Sequence, residues 1–546
     1  MRRHFAWPLV AFALLAGGGL AACQGCKAPN PTGESDAAAQ KPTVRLYVVS
    51  TIAGALEPCG CTKDQLGGVD HLAAYVAGQK SAAPESLFVG AGPMLFMEPK
   101  LKGEAVTQQE WKAEALARAM KDLGVAAWAP GNNDWAGGAD KLGKYQTDAS
   151  AALLAGNVGA GNGPKLSGTF VREVGGVKIG VVGVADPKDK LGTYPDAVKA
   201  TAPLEAMKAG IAEVKKQGAR VLVGLAALPR GEALRLADAL PELNVLVVGK
   251  PVEAGDANDA PKAPVLSGST LIVETANHLQ TVGVVDLFVK PGSADGPLTF
   301  ADAGGVARAE EVLSVSSRIH DLEVRINSWE KGGGVKAEDL AARKADLEKL
   351  RADKAKLDAD KPVVQGSFFR YTTLEVRDKL GSDPTVAARM LDFYKRVNEH
   401  NKVAFADRKP PAPEAGQAGY VGIETCATCH EDAKKFWDGT SHAHAYPTLE
   451  KQFKEFNLDC VSCHVTGYDK PGGSTVTFNA QLKNVQCETC HGPGSNHIKD
   501  PKKTTIVAKP TGDLCGSCHH PPHVEAFDPK EKMKLILGPG HGSPKG

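Results

Sequence analysis

The pentapeptide CATCH at residues 426–430 recurs three times in the same pattern before the chain ends. The further copies are CVSCH at 460–464, CETCH at 487–491 and CGSCH at 515–519. Each copy has two cysteines separated by two residues, with a histidine directly after the second. Two thiols at this spacing form thioethers to the two vinyl groups of one porphyrin, and the adjacent imidazole ligates its iron. The sequence therefore predicts a small, mostly α-helical and loop-rich region that folds around four covalently bound c-type haems.

The motif residues divide into two predicted roles. The residues of covalent haem attachment are Cys426, Cys429, Cys460, Cys463, Cys487, Cys490, Cys515 and Cys518. The proximal iron ligands are His430, His464, His491 and His519. A single motif of this kind also suits a zinc half-site or a redox dithiol. Four copies within roughly a hundred residues, each ending in histidine, favour haem.

Further histidines in the same region supply candidates for the distal side of each iron. They are His442, His444, His497, His520, His523 and His541. Such an excess favours bis-histidine ligation, which gives low-potential electron-transfer centres more often than substrate sites. The last motif is flanked by His520 and His523, which suit an ordinary loop role equally well.

The region from position 420 onward resembles the tetrahaem cytochrome c-554 family. The resemblance lies in YVGIETCATCHEDAKKFWDGTSHAHA, DCVSCHVTGYDKPGG, VQCETCHGPGSNH and LCGSCHHPP with a closing GHG. It implies that His442, His497 and His541 are distal ligands. For the fourth distal ligand, His444 and His523 compete, or one of the four irons stays five-coordinate. Because little apolar sequence lies between the motifs, the porphyrins are expected to form the core of this region.

Residues 43–304, named the front domain, alternate short β-branched runs with helical stretches. Two stretches have helical spacing and close on a glycine, 111–125 and 204–218. The runs that predict buried strands are VRLYVVST (44–51), SLFVGAG (86–92), VKIGVVGVA (177–185), RVLVGLAAL (220–228) and LNVLVVGK (243–250). This alternation predicts a layered α/β domain.

The front domain resembles the metallophosphoesterase domain of periplasmic 5′-nucleotidases. The resemblance lies in IAGALEP with GGVDHLA, APGNND, LLAGNV with GVKIGVVGVADP, and LNVLVVGK. It implies an α/β/β/α sandwich in which Asp, His and Asn side chains hold two divalent metals. Of the family's ligand positions only Asn132 is retained. The other positions fall on Thr51, Ala53, Pro93, Asn133, Ala226 or Ala227, Lys250 and Val252.

These replacements predict a front domain without metal ligands, because alanine, valine and proline side chains offer a divalent ion no donor atom. Asn133 is then expected to be a loop residue that holds a turn. Four scattered polar residues are expected to have surface or loop-capping roles. They are His71, Asp134, Asp186 and His278.

The N-terminus carries an apolar run at 5–22 that follows two arginines and ends in small residues, as a secretory signal does. Its end, LAAC, resembles the bacterial lipobox and implies acylation of Cys23. Residues 1–22 are therefore predicted to be a lipoprotein signal peptide and residues 23–42 a polar tether. A soluble exported protein is the alternative. Gln24 favours the outer membrane by resemblance to the lipoprotein sorting rule.

Three further cysteines lie outside the motifs and the lipobox: Cys26, Cys59 and Cys61. The Cys-Gly-Cys spacing of the last two predicts a strained, redox-active disulfide or a site for a soft metal ion such as copper. A structural loop disulfide without chemistry is the alternative.

Residues 305–362 are charged, and apolar residues spaced by three and four lie on both sides of a Gly-Gly-Gly sequence at 332–334. This pattern predicts an antiparallel helical hairpin, with an intermolecular coiled coil as the alternative. Residues 363–416 are predicted to be a helix and a Pro-rich linker. The tetrahaem cytochrome domain, named the haem region, takes residues 417–546.

The composition gives no footprint for nucleic acid, since 64 basic and 63 acidic residues leave a net charge of +1. The predicted function is an exported, lipid-anchored multihaem cytochrome, an electron-transfer protein rather than an enzyme. It would relay electrons between redox proteins, with a metal-free phosphoesterase-like domain for recognition or support. The alternatives are a haem-dependent reductase of a small nitrogen or sulfur oxyanion, and a still-active nucleotidase fused to a cytochrome.

Overall fold

The computed structural model describes residues 41–58, 65–159, 161, 163–190, 192–252, 257–293, 296–332, 335–359, 364–520, 524, 527–539 and 541. The predicted signal peptide, Cys23, Cys26, Cys59, Cys61 and His523 lie outside the described residues. From Pro42 onward the described residues form one unit. Of the helices in these ranges, none has both the length and the apolar character needed to cross a bilayer.

The strands of the described residues form two large sheets and one two-stranded pair. They are β1 (Val44–Ser50), β2 (Ser86–Gly92), β3 (Val125–Pro130), β4 (Ala152–Leu154), β5 (Val158–Gly159), β6 (Leu166–Ser167), β7 (Thr169–Val174), β8 (Val177–Ala185), β9 (Lys199–Ala200), β10 (Val221–Ala227), β11 (Val245–Val248), β12 (Val265–Ser267), β13 (Thr270–Val273), β14 (Thr281–Phe288), β15 (Ala301–Asp302) and β16 (Phe368–Glu375). The first sheet has the order β15-β16-β14-β1-β2-β3-β4-β6, the second has the order β12-β13-β11-β10-β8-β7, and β5 pairs with β9.

The α-helices of the described residues are longer up to residue 404 than in the haem region. They are α1 (Val69–Gly78), α2 (Val106–Leu123), α3 (Ala139–Ala149), α4 (Pro203–Lys216), α5 (Arg230–Ala239), α6 (Ala309–Gly332), α7 (Ala337–Ala359), α8 (Pro384–Ala404), α9 (Ile423–Ala427), α10 (Glu431–Asp438), α11 (Ala445–Glu450), α12 (Val461–His464), α13 (Cys487–His491), α14 (Ser495–Lys499) and α15 (Pro529–Met533).

The alternation of side chains along the second sheet explains the layering. In β8, Ile179 and Val181 lie in the large core shared with the first sheet. The intervening Val182 and Val184 lie in a second core with residues of α4 and α5. Because successive side chains of a strand point to opposite faces, each apolar strand is buried on both sides. The result is a mixed α/β domain in which the two sheets pack on each other and helices cover their outer faces.

Of the eight strands of the first sheet, the sequence predicted only β1 and β2, and β16 is one of those that it missed. β16 pairs with β14 in antiparallel register along its whole length, from Phe368 opposite Phe288 to Glu375 opposite Thr281. β16 therefore lies in the same sheet as strands of the front domain, although the sequence placed it in the segment 363–416, which was predicted to be a helix and a Pro-rich linker. The sequence did not predict β16 because its partner β14 lies far away in the chain, and the local sequence does not show which strand it pairs with.

Helices α6 and α7 lie against each other between β15 and β16. Ion pairs join Glu330 to Lys344 at 2.7 Å and Glu323 to Arg351 at 2.7 Å. The α6 residue with the lower number pairs with the α7 residue with the higher number, so the two helices run antiparallel. Val315, Ile326, Leu347 and Leu350 are buried along the two helices.

The haem region has a very small protein core. One cluster of buried apolar residues contains Tyr446, Val461, Val465 and Val476 of this region, together with Phe405, which follows α8. Several large apolar side chains of the same region are exposed instead: Phe436, Phe453, Phe478, Ile498, Val507, Leu514 and Leu535. A polypeptide of this length ordinarily buries far more apolar area.

Candidate functional site

A helical turn presents the residues of each motif on one side of the backbone. In the first motif the His430 amide donates to the Cys426 carbonyl at 3.0 Å, and in the fourth the His519 amide donates to the Cys515 carbonyl at 2.8 Å. Residues three and four positions apart in such a turn lie on the same face. Both thiols and the imidazole of one motif are therefore directed to a common side, as attachment to one planar group requires.

Hydrogen bonds of the ring nitrogens orient the histidines for metal ligation. The Nδ1 atom of His464 lies 2.6 Å from the Ala445 carbonyl, and Nδ1 of His491 lies 2.7 Å from the Val507 carbonyl. Nδ1 of His497 lies 3.1 Å from the Lys502 carbonyl. When Nδ1–H donates to a backbone carbonyl, Nε2 keeps its lone pair for a metal.

Two of the predicted distal histidines face histidines of motifs. The ring centroids of His442 and His519 are 6.3 Å apart, and those of His491 and His541 are 5.9 Å apart. Two imidazoles on opposite sides of one metal have centroids roughly 6 Å apart, given metal–nitrogen bonds of about 2 Å. Both pairs therefore have the spacing of axial ligands.

The other predicted distal histidines are placed differently. His444 directs Nε2 to the Asp438 carbonyl at 3.0 Å, which engages the nitrogen that a distal ligand normally uses. His430 is exposed at the N-cap of α10, and within the described residues no ring contact joins it to His497 in α14. His523 lies outside the described residues.

Neighbouring motifs meet through their cysteines, none of which forms a disulfide with another described cysteine. The Cys426 thiol lies within hydrogen-bonding reach of Cys487, which raises the pKa of Cys426. The same contact between Cys518 and Cys463 raises the pKa of Cys518. Burial, and after it the charge of the nearby Cys515, raises the pKa of Cys490. The motifs therefore follow one another in space in the order first, third, fourth, second.

The thiols, the paired imidazoles and the exposed apolar side chains together fit covalently bound haem. The apolar side chains would be covered by porphyrin faces, and the paired imidazoles have the spacing of an axial ligand set. Haem supplies a redox-active iron when it is bound at such a site.

At the carboxyl end of the front domain's sheets, backbone and amide groups fill the space. Asn133 donates through Nδ2 to the Met97 carbonyl at 2.7 Å and to the Val252 carbonyl at 3.1 Å. It lies buried in a short 3-10 helix and holds two other segments together, rather than only holding its own turn. A Cβ placed on Gly249 would lie 2.1 Å from the Ala91 carbonyl carbon, so the two sheets are in backbone contact here. Among the described residues, no three His, Cys, Asp or Glu side chains are grouped to hold a metal ion.

The four scattered polar residues are only partly as expected. Asp134, Asp186 and His278 are buried, so a surface location is wrong for all three. Asp134 and Asp186 do cap loops. Asp134 accepts from the amides of Met94, Leu95 and Gly131, and Asp186 accepts from the amide of Lys188. His278 has Nδ1 2.9 Å from Asn258 Oδ1, and burial lowers its pKa to about 4. His71 in α1 is partly buried, with Nδ1 near the Gly381 carbonyl.

Part of the haem region is similar to a known family. Residues 425–492 match the family model described as cytochrome c554 and c-prime. The chain is 34% identical over 114 residues to cytochrome c-554 of Nitrosomonas europaea, in a match that covers 18% of this chain and 48% of that protein. This chain therefore spans about half the length of that relative. The resemblance predicted from the sequence is confirmed for this segment.

Solved structures similar to the chain include nucleotidases and phosphoesterases. A 5′-nucleotidase precursor of Thermus thermophilus has a TM-score of 0.45 at 16% identity, covering 68% of this chain and 61% of that chain. A calcineurin-like phosphoesterase of Bacillus subtilis has a TM-score of 0.39 at 16% identity, covering 46% of this chain and 86% of that chain. The sulfate thiohydrolase SoxB of Thermus thermophilus has a TM-score of 0.37 at 16% identity, covering 46% of this chain and 55% of that chain.

Proposed function

We propose that this protein is an exported multihaem c-type cytochrome that relays electrons between redox proteins. The observation that carries the proposal is the opposition of His442 to His519 and of His491 to His541 at the spacing of axial ligands. Irons with two histidine ligands exchange electrons without binding a substrate, because both axial positions are occupied. The family match of residues 425–492 supports the same function.

In this proposal each of the four motifs carries one haem through its two cysteines. His430, His464, His491 and His519 ligate the irons proximally. His442 is the distal ligand of the fourth haem and His541 that of the third. His497, whose Nδ1 contacts a backbone carbonyl, is the candidate for the first. The candidates for the second are His444, His523 or an open position.

The proximity of the motif cysteines supports electron transfer along the haem region. Cys426 lies beside Cys487, Cys490 near Cys515, and Cys518 beside Cys463. Electrons would pass between the first, third, fourth and second haems in that order. Cys429 of the first motif is exposed, so that end is open to a redox partner.

The front domain acts in this proposal as a metal-free support for the haem region. Backbone contact at Gly249 and the amide of Asn133 fill the sheet edge where the resemblance to metallophosphoesterases would place metals. The antiparallel helices α6 and α7 serve as a spacer or docking arm. A lipid on Cys23 anchors the mature chain, with the outer membrane favoured, and nucleic acid is not a partner.

The proposal is tested on protein matured with haem in the periplasm of a suitable host. Mass spectrometry should show four haems, and electron paramagnetic resonance of the ferric protein should show at least two low-spin, bis-histidine signals. Fewer haems, or ferric irons that are all high-spin, would contradict the proposal. Reduction of a nitrogen or sulfur oxyanion at a high-spin haem would instead support the reductase.

The role of the front domain has a separate test. Incubation of the full chain with manganese and nucleotide or phosphodiester substrates should give no phosphate release above the protein-free control. A 5′-nucleotidase assayed in parallel serves as the positive control. Turnover that depends on added metal would favour the active nucleotidase.

A further inference from the structure

The segment that leads into the second motif is attached to the front domain by a cluster of three buried amides. Gln108 of α2, Asn401 of α8 and Asn457 are each 2% exposed. Gln108 Nε2 donates to Asn457 Oδ1 at 3.1 Å, and Asn401 Nδ2 donates to Gln108 Oε1 at 3.1 Å. Buried amides that hydrogen-bond to one another fix the position of this segment relative to α2 and α8, because breaking any of these bonds leaves a buried polar group unpaired.

The cluster also holds the backbone of this segment. Gln108 Oε1 accepts from the Leu458 amide at 3.0 Å, and Asn401 Nδ2 donates to the Phe456 carbonyl at 2.9 Å. The carbonyl of Asn457 then accepts from the amides of Cys460 at 3.1 Å and Val461 at 2.9 Å. Side chains of α2 and α8 therefore fix the position of the start of α12 and of Cys460, the first cysteine of the second motif.

Charged groups of the front domain lie around the same cysteine. Lys112 of α2 pairs with Asp459 at 3.5 Å, and Glu57, which follows β1, pairs with Lys454. The ammonium of Lys454 also lies 4.3 Å from the ring centroid of Tyr394 in α8. Burial raises the pKa of Cys460 to about 12, with smaller effects from Asp459, Lys454, Lys112 and Glu57. Because Asp459 directly precedes Cys460 in the chain, its ion pair with Lys112 lies beside this attachment residue.

We propose that the front domain is a functional part of the second haem site, in which Gln108 positions the attachment segment and Lys112 and Glu57 set the potential of the haem carried by Cys460 and Cys463. The inference rests on the proposed function, because it requires haem at this motif. The front domain is then not a separate module, since it fixes one end of the series of haems.

The signs of the two charges make the proposal specific. Reduction adds an electron, so a nearby positive charge favours the reduced state and a nearby negative charge favours the oxidised state. Loss of Lys112 should therefore lower the potential of one haem, and loss of Glu57 should raise it. If Lys112 and Glu57 only stabilised the fold, their substitution would not shift the haem potential in opposite directions.

The experiment uses the full chain matured with haem, as wild type and as Lys112→Gln, Glu57→Gln and Lys141→Gln. Lys141→Gln is the matched control. It also removes a lysine that pairs with an acidic residue, but Lys141 lies in α3 and its partner Glu110 in α2, 2.7 Å away, so both belong to the front domain. Spectroelectrochemical titration should show one haem with a lower potential in Lys112→Gln and one with a higher potential in Glu57→Gln. The control should reproduce all wild-type potentials.

The positioning role of Gln108 is tested in the same way. Gln108→Ala should alter the resonance signal or the potential of one haem, whereas Gln109→Ala, at the neighbouring position of α2, should leave every signal unchanged. If Gln108→Ala fails to fold, the two charge variants still decide the matter.

Two outcomes overturn the proposal, and they are distinguishable. Wild-type protein that lacks one haem and has free thiols at Cys460 and Cys463 overturns both this inference and the proposed function. Four haems whose potentials are the same in the wild type and in both charge variants overturn this inference alone.

Discussion

At the scale of single residues, the contacts of the histidine rings distinguish the candidate ligands from one another. His442 faces the ring of His519, whereas Nε2 of His444, two positions later, contacts the Asp438 carbonyl. The two residues share a sequence context, so pattern alone does not distinguish them. The structure favours His442 because its ring opposes a motif histidine.

A pair of substitutions tests this distinction. His442→Ala should convert one low-spin ferric haem to a high-spin haem, because loss of the distal imidazole opens an axial position. His444→Ala should leave the spin states of all haems unchanged. Electron paramagnetic resonance of the two purified variants makes the comparison. A new high-spin signal in His444→Ala, with none in His442→Ala, would reverse the assignment.

Asp134 should make the stability of the front domain depend on pH. Burial raises its pKa to about 7, and the three backbone amides that it accepts from only partly offset this effect. An unfolded aspartate has a pKa of about 3.9. The folded state therefore binds the proton more tightly, and this contribution to stability is fully present below about pH 4 and is lost as the pH rises through about 7.

The measurement compares wild type with Asp134→Asn, which does not titrate. Urea unfolding followed by circular dichroism should show the wild type losing stability relative to the variant between about pH 4 and pH 7. The change should be on the order of a few kcal/mol. Parallel stability curves for the two proteins across this range would show that Asp134 is ionised throughout.

Among the elements, α8 connects the two parts of the molecule. Its buried residues include Val386, Met390 and Phe393, which lie in the core of the front domain. At its C-terminal end, Phe405 lies in the small core of the haem region. The helix that the sequence placed before a linker is therefore shared by both cores.

The cap of α8 should consequently affect the stability of the whole unit. Asp383 accepts from the amides of Thr385 at 2.9 Å and Val386 at 3.1 Å, so Asp383→Ala should cost about 1 kcal/mol. Asp528 caps the short helix α15 in the same way. Because no residue of α15 is buried, Asp528→Ala should have little effect on global unfolding. Equal losses in the two variants would contradict this account.

The contact between the two sheets at their carboxyl edge gives a further prediction. Gly249→Ala should destabilise the protein by more than about 2 kcal/mol, because its Cβ would meet the Ala91 backbone, which cannot move as a side chain can. Gly78→Ala is the control, since nothing lies within 4 Å of its added Cβ. Thermal unfolding of both variants makes the comparison. A Gly249→Ala protein as stable as the control would mean that the edge can open.

For the whole molecule, the unequal cores predict unequal dependence on haem. The sheets of the front domain are buried on both faces, whereas the haem region has only a small apolar cluster within the described residues. A chain expressed without haem attachment should therefore keep a protease-resistant front domain while residues 417–546 are degraded. Limited proteolysis with mass spectrometry measures this, with the haem-loaded chain as the control. Equal resistance of both parts without haem would contradict it.

How far the sequence could predict the structure depends on the range of the interactions involved. The five strands were found because apolar runs such as VKIGVVGVA are buried by both layers. β16 was missed because its pairing with β14 depends on a strand far away in the chain. The burial of Asp134 and His278 was missed for the same reason, since a polar residue in a loop gives no local signal of what covers it.

The sequence by itself predicted where haem would attach, because the motif consists of two thiols and an imidazole within five consecutive residues. Only the tertiary structure decided which histidines oppose each other, in what order the motifs meet, and that α2 and α8 hold the second motif in place. Those relations join residues far apart in the chain, and they arise when buried surfaces and buried polar groups must all be satisfied at once.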